Sequence, residues 1–528
     1  MPIFVPSHTM KAASVIPAPR FLRMQFPRVC TVVIAQNPAD LLEKVEQVCR
    51  DNSFIEVRLD YLSKPALAFP RLKQFFASHR DITAIATCRR AVNGGHFRGS
   101  VASQYELLIK AAQNGFRLLD VELETAAQLK PHEFEKLRNV AAVVLSFHDF
   151  KGTKKLGETW QRMQEFPADI FKAVSTARTL SDNLAMLRLL QAHSDHYTMV
   201  GLCMGELGII SRVLGVRAGS AFTFAAAREG EETAPGQITS KALRETYRID
   251  RVDAATKVYA VAGDPISHSL SPVMMNTAFR RENINAVYIA LQPREINDLL
   301  SCMQEIPIHG LSVTMPLKQE IIKHLDRTDA LTQKIGACNT VIRSADGKFY
   351  GFNTDVAGVI RPLEERINLR GARILVLGAG GAARAAVFGL KERGSDVYVV
   401  NRMPQRGQKL AREADAKYLS RQQVIKSDFD VIINATPVGM KSSKPQAPLE
   451  ENELRTKYLF EMIYSPLETK LVKMARAKNI HVITGDAMFV HQGVRQFEIW
   501  TGKPAPFEDM HRSVLFAIAQ RDAQGNGK

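Results

Sequence analysis

Lys172 lies in the middle of DIFKAV, an apolar run that otherwise reads as a buried strand. Lysine is a poor strand former, and an unpaired buried charge is costly. One explanation is an edge-strand lysine whose stem packs while its head reaches water. The other is an amine kept neutral by burial, which attacks a ketone and forms a Schiff base. Further reactive residue types stand at comparable places: Glu56, Arg58 and Asp60 in EVRLD, Arg89 in TCRR, Asp120 and Glu122 in LLDVEL, His148 and Asp149 in SFHDF, and Arg212 in ISRV. Arginines hold carboxylates and hydroxyls, and a histidine moves a proton next to an iminium carbon. Arg58, Arg89 and Arg212 around Lys172 would surround it with like charge. In the second half, Lys318 in TMPLK and Asp355 in FNTD form a different pair. There the carboxylate orients and charges the lysine, and one of them protonates a developing alkoxide.

These residues need elements to position them. Eight short β-rich runs, from VCTVVIA at 29–35 to AFTFAA at 221–226, alternate with helical stretches such as DLLEKVEQVCRD and SDNLAMLRLLQAH. The alternation predicts a (β/α)8 barrel, whose chemistry gathers at the C-terminal ends of its strands. An open doubly wound sheet would need a glycine-rich switch-point loop, which this half lacks. Period 2 places Glu56, Arg58 and Asp60 on one face. Residues 249–256 read as a linker, and KVYAVAGDPISHSLSPVM opens a second α/β unit. Within it, RILVLGAGGAARAAVFGL runs from a strand into Gly378, Gly380, Gly381 and Ala383 and then a helix, the dinucleotide fingerprint in its required context. The following strand, DVYVV, ends in Asn401-Arg402 with Arg406 nearby, where an NAD site would carry a carboxylate. Guanidiniums there suit a 2′-phosphate, so the expected cofactor is NADP. The expected organisation is a basic tail at 1–28, the barrel at 29–250, an α/β substrate-binding domain at 257–356, a Rossmann NADP-binding domain at 357–486, and helices at 487–520 returning to the substrate domain.

The first half resembles the type I 3-dehydroquinate dehydratases through EVRLD, TCRRAVNGG, LSFHDF, DIFKAV, MGELGIISR and TAPGQ. The resemblance implies Lys172 as the Schiff-base lysine and His148 as general acid and base. It implies Glu56, Arg58, Arg89, Arg212, Thr233 and Gln237 as substrate contacts. Where that family has Glu-Gly-Gly, with the Glu supporting the catalytic histidine, this chain has Asn93-Gly94-Gly95. Asn hydrogen-bonds but brings no charge. The second half resembles the shikimate dehydrogenases through GDPISHSLSPVMMN, VTMPLK, GACNT, GFNTD, GAGGAAR, NATPVGM, IYSP and GDAMFVHQG. That resemblance implies Ser269, Ser271, Thr314, Asn339, Tyr464 and Gln492 as substrate contacts and Lys318 with Asp355 as the catalytic pair. It also places Thr436 with the fingerprint residues, Asn401, Arg402 and Arg406 along the cofactor. Together the halves resemble bifunctional enzymes that would convert 3-dehydroquinate to 3-dehydroshikimate and then, with NADPH, to shikimate.

Composition narrows the alternatives. The 528 residues carry a net charge of +16, but the basic residues are scattered rather than interleaved with aromatics, which fits anionic small molecules better than nucleic acid. Cys30, Cys49, Cys88, Cys203, Cys302 and Cys338 have no metal-ligand or disulfide-framework spacing, so no metal is expected and a reducing compartment is. No apolar run is long enough to span a bilayer. The first 28 residues contain Lys11, Arg20, Arg23 and Arg28 and no acid. They read as a basic tail of a cytoplasmic protein, with Met10 and Met24 as other starts, or as a plastid leader. Fusion of two units favours a monomer. Three rival readings stay open: a shikimate or quinate dehydrogenase with a weakened barrel, a quinate-preferring enzyme, and a nucleic-acid-binding protein.

Overall fold

The computed structural model describes residues 25–266, 269–440 and 446–525. The expectations for residues 1–24 lie outside the described residues. Two compact units divide the chain between Leu243 and Arg244, with Thr179–Ser181 grouped with the second.

Eight parallel strands build the first unit: β1 (Val29–Val33), β2 (Phe54–Arg58), β3 (Thr83–Thr87), β4 (Leu118–Glu122), β5 (Ala142–His148), β6 (Ile170–Thr176), β7 (Met199–Met204) and β8 (Thr223–Ala226). Each pairs with the next from β1 to β7, and β1 also pairs with β8. At the β7–β8 seam, Ala221 N donates to Met199 O at 2.8 Å in place of a ladder. The connecting helices begin where the sequence supplies caps. Asn37 accepts from Ala39 N and Asp40 N ahead of Pro38–Cys49, and Ser100 accepts from Ser103 N ahead of Val101–Gln113. The lumen is filled by side chains such as Val32, Ile85, Val144, Val200 and Phe224, a packed core rather than a pore. Its N-terminal end is closed by Phe54 and Phe222, with ring centroids 4.8 Å apart. Phe26 lies 5.4 Å from both. Phe26 therefore packs with the barrel and not with the tail, its ring lying partly buried against that apolar end.

The second unit holds two sheets. The first orders β9 (Lys257–Ala262), β10 (Ala286–Leu291), β11 (Ile308–Val313), β12 (Arg327–Thr328), β13 (Thr340–Arg343) and β14 (Phe349–Phe352) as β10-β9-β11-β13-β14-β12. The second orders β15 (Arg373–Leu377), β16 (Asp396–Val400), β17 (Lys417–Tyr418), β18 (Phe429–Asn434), β19 (Thr456–Glu461) and β20 (His481–Ile483) as β17-β16-β15-β18-β19-β20, all parallel. The strand order reverses between β15 and β18, the crevice where such sheets bind nucleotides. Helix Gly485–Thr501 leaves this second sheet and packs Phe489, Val490, Phe497 and Trp500 into the core around Tyr259 and Tyr288 of the first. The stretch expected to be a linker, 249–256, instead opens with a 3-10 turn and buries Ile249 and Val252. Its apolar residues pack where a solvated linker would be polar. No helix among the described residues is long and apolar enough to cross a membrane.

Candidate active sites

In the barrel, Glu56, Arg58, Arg89, His148, Lys172, Arg212, Thr233 and Gln237 all line one cavity. They arrive from β2, from just after β3, from the end of β5, from β6, and from the segments after β7 and β8. Lys172 is 4% exposed and its Nζ lies 3.8 Å from the ring centre of Phe224. The like-charge surroundings expected for it are not what the fold provides. Nζ touches two carboxylates, Asp120 Oδ2 at 3.0 Å and Glu56 Oε1 at 3.3 Å. The arginines are spent elsewhere. Arg58 is forked onto Asp60 at 2.9 and 2.8 Å, and Arg89 Nη2 meets Asp120 at 3.1 and 3.3 Å. Asp60 reaches Arg58 from the 3-10 turn Leu59–Tyr61, so the strand alternation expected to carry it ends at Arg58. Arg212 differs from the others: it is 1% exposed and, among the described residues, meets only the Pro235 carbonyl, at 3.4 Å. Burial pushes it down to about 10, and its Nε has no partner. A buried guanidinium without an anion is a seat for one.

Arg89 also donates from Nη1 to His148 Nδ1 at 2.5 Å. Arginine has no acceptor, so Nδ1 carries the lone pair and a neutral ring keeps its proton on Nε2. Burial, then the charges of Arg89, Lys172 and Arg58, hold His148 well below the usual histidine range. Asn93 does not support this ring. Its Nδ2 is buried against Glu122, and neither that atom nor Glu122 Oε1 makes a hydrogen bond of normal geometry. Thr233 and Gln237 are joined to each other, the Thr233 backbone N–H and hydroxyl both donating to Gln237 Oε1 at 2.8 and 3.2 Å.

In the second unit, Lys318 Nζ is 2.5 Å from Asp355 Oδ2, and Asn339 Nδ2 donates to Asp355 Oδ1 at 2.7 Å. The elements explain the meeting. Lys318 follows β11, Asn339 leads into β13, and Asp355 opens the helix after β14, neighbours in one sheet. From this triad a chain of buried hydrogen bonds runs outward. Gln496 Nε2 donates to Asn339 O at 3.1 Å, Ser312 Oγ to Gln496 Oε1 at 2.8 Å, and Tyr288 OH to Ser312 Oγ at 2.6 Å. Ser271 lies beside the Tyr288 hydroxyl, and Ser269 Oγ accepts from Ser271 N at 3.2 Å. Tyr288, Ser312 and Gln496 carried no signal in the sequence beyond the placement of Gln496 one helical turn after Gln492. Gln492 is buried and its Nε2 bonds Phe489 O, and Phe489 packs on Tyr464. Burial raises the Tyr464 phenol. Thr314 directly follows β11, with its N–H on Ala262 O.

The nucleotide crevice fits the cofactor expected of it. Gly378 has φ +113°, and a Cβ there would meet Ala435 O at 3.1 Å. A Cβ on Gly380 would meet nothing within 4 Å, so open space stands before the N-terminus of helix Gly381–Glu392, where N–H groups favour phosphate. Ala383 is buried beneath. Thr436 hangs from Asn434 Oδ1 through Oγ1 at 2.7 Å on the facing loop. Arg402 and Arg406 are exposed, and Asn401 bonds Met403 O.

The chain matches the family model of type I 3-dehydroquinase over residues 29–254 and that of the shikimate dehydrogenase substrate binding domain over 261–341. It also matches shikimate/quinate 5-dehydrogenase over 362–446 and the shikimate 5′-dehydrogenase C-terminal domain over 487–515. These define a fusion of a dehydroquinase to a shikimate dehydrogenase. A bifunctional 3-dehydroquinate dehydratase/shikimate dehydrogenase, chloroplastic, of Arabidopsis thaliana is 32% identical over 476 residues, 86% of this chain and 78% of that one. The chain belongs to the family of these bifunctional enzymes. A pentafunctional AROM polypeptide of Lachancea thermotolerans is 30% identical over 89% of this chain, which spans 31% of that protein. The NADP(+) shikimate dehydrogenase of Methanococcoides burtonii is 41% identical over 49% of this chain and 97% of its own length. A shikimate 5-dehydrogenase structure from Thermus thermophilus in complex with NADP(H) and shikimate aligns with 50% of this chain and 100% of its own, at 34% identity and TM-score 0.47.

Proposed function

We propose that the protein dehydrates 3-dehydroquinate to 3-dehydroshikimate in the barrel and reduces that product to shikimate in the second unit. One observation supports this above the rest: residues scattered from 56 to 237 converge on a single cavity with an amine at its floor. Arg212, buried without an anion, takes the substrate carboxylate. Lys172 attacks the ketone and forms an iminium, which acidifies the neighbouring C–H. His148 is neutral and takes that proton at Nδ1 once substrate draws Arg89 Nη1 off it, with Nη2 still on Asp120; its Nε2 proton goes to the departing hydroxyl. Hydrolysis of the iminium releases the product and Lys172.

In the second unit, Lys318 and Asp355 hold the proton that a new alkoxide needs, and Asn339 fixes the carboxylate that orients the lysine. Ser269, Ser271, Thr314, Tyr464 and Gln492 would hold the substrate. Gly378, Gly380, Gly381, Ala383 and Thr436 would hold the NADP pyrophosphate and nicotinamide side, and Asn401, Arg402 and Arg406 the 2′-phosphate. NADPH, when bound, supplies the hydride. The partners are small carboxylates, the working unit a monomer, and the compartment the cytoplasm, or a plastid if residues 1–28 are a leader.

Borohydride trapping tests the reading. The protein is mixed with 3-dehydroquinate, reduced and digested, and an adduct on Lys172 is expected by mass spectrometry. Absence of adduct, with NADPH-dependent reduction of 3-dehydroshikimate intact, would leave a dehydrogenase joined to a silent barrel.

A further inference from the structure

Lys172 has two carboxylates within reach of its amine, one of them, Asp120, shared with Arg89. One carboxylate neutralises an ammonium; here Asp120 and Glu56 both reach Nζ, at 3.0 and 3.3 Å. Before the amine can attack, it must lose a proton. The amine is buried over Phe224, so a protein group has to take it.

We infer that Asp120 is a catalytic residue of the dehydratase: it takes the ammonium proton from Lys172 and returns it to the hydroxyl that leaves the carbinolamine. This rests on the Schiff-base reading above. The step balances. An ammonium and a ketone give an iminium and water with no proton gained or lost. Nζ first passes one proton to Asp120 Oδ2. The free pair then forms the C–N bond as the carbonyl π electrons move to oxygen, and a second nitrogen proton moves to that oxygen. Finally the nitrogen pair expels the C–O bond, and the hydroxide takes the proton from Asp120 and leaves as water.

The geometry favours Asp120 over Glu56. Asp120 is clamped from behind by Ser146 Oγ at 2.6 Å and by Arg89, which aims Oδ2 at Nζ. Each acid shares the oxygen that meets Lys172, but Asp120 Oδ2 holds Lys172 at 3.0 Å more closely than Arg89 at 3.3 Å, whereas Glu56 Oε1 holds Thr87 at 2.7 Å more closely than Lys172 at 3.3 Å. Burial by itself raises the Asp120 carboxyl; the charges of Lys172 and Arg89, with the Ser146 bond, hold it below the ordinary value. Once Lys172 is neutral the strongest of those opposing influences is gone, and burial favours the protonated acid. Glu56 then remains as the counter-charge to the iminium. The groups facing Asp120 are Cys30 from β1, Arg89 after β3, Ser146 from β5 and Lys172 from β6, with Glu56 from β2 on the other side of the same amine.

The test is the pH dependence of borohydride trapping on Lys172 in the full chain, with 3-dehydroquinate, for the unsubstituted protein, Asp120→Asn and Glu56→Gln. Asparagine keeps the shape but takes no proton. D120N is expected to trap about 10²–10³-fold more slowly at pH 7, with a rate rising about tenfold per pH unit as free amine accumulates. The unsubstituted protein stays flat over the same range, and E56Q, slower for want of the iminium's counter-charge, keeps that flat shape. A flat D120N profile at the unsubstituted rate overturns the inference, and so does a slope that appears in E56Q instead. If D120N no longer binds 3-dehydroquinate, Ser146→Ala decides. It leaves the carboxylate but removes one bond to its charged form, so the low-pH limb of trapping moves upward; an unmoved limb overturns the inference. No adduct in the unsubstituted protein defeats the Schiff-base reading itself, an outcome separate from all of these.

Discussion

Lys172 and Lys318 are the same residue type placed at the centre of two sites, and the fold treats them differently. Lys172 touches two carboxylates, lies over an aromatic face and keeps 5% of its side chain exposed. Lys318 touches one carboxylate and keeps 17% exposed. The barrel residues come from strands of one rigid sheet and are locked by mutual ion pairs, Arg58 with Asp60 and Arg89 with Asp120. The second site leans on a hydrogen-bond chain of neutral groups, Tyr288, Ser312 and Gln496. A lysine that must become a nucleophile needs a dry place and a local acceptor for its proton. A lysine that must give a proton needs one carboxylate to keep it charged and a way to reload from water. The number of acids within reach, and the access of water, separate the two uses.

The sharpest way to break the comparison is to remove each lysine in turn. Lys172→Met should cost dehydratase activity about 10⁴-fold or more, with 3-dehydroshikimate reduction by NADPH unchanged in the same sample. Lys318→Ala should do the reverse and more mildly, lowering the reduction rate about 10²–10³-fold while the barrel still traps substrate. Smaller again is the effect of the double variant Arg402→Ala, Arg406→Ala. Losing charge-assisted bonds to a 2′-phosphate should cost about 1.5–3 kcal/mol of NADPH binding, seen as a raised KM for NADPH with the KM for NADH little changed. The smallest effect is a displacement along the pH axis. Because burial and nearby cations hold His148 well below its usual range, its neutral form persists as pH falls through 6.5. The dehydratase kcat/KM should therefore stay level there and drop only at lower pH; a limb at the ordinary histidine value would remove the proposed role of Arg89.

Much of this was legible in the sequence because charged residues inside apolar strands are conspicuous. Lys172, Arg58 and Arg89 announced themselves, and eight of the residues named for the barrel share its cavity. What was not legible is what meets what across the lumen. Asp120 was visible as a charge on the fourth strand, yet nothing along the chain says that β4 faces β6, so the lysine was expected among arginines rather than acids. Asn93 misled in another way. The family resemblance set position 93 beside the histidine, but the turn Ala91–Asn93 directs it to Glu122. In the second unit, Tyr288 and Ser312 look like ordinary strand residues, and only the register of β9, β10 and β11 brings them to Gln496. The stretch 249–256 read as a linker because it is short and lies between two units; the burial of Ile249 and Val252 is a tertiary fact.

The aromatic plug of Phe26, Phe54 and Phe222 makes the barrel a blind alley. Whatever enters by the mouth, where Phe150 stands half exposed, must leave by it, including the water shed in forming the iminium and the water admitted to break it. A second molecule cannot wait behind the first. Product and substrate are rivals for one berth, so inhibition of the dehydratase by its own product is competitive, and the pace at which the next station clears 3-dehydroshikimate sets how often the berth falls vacant.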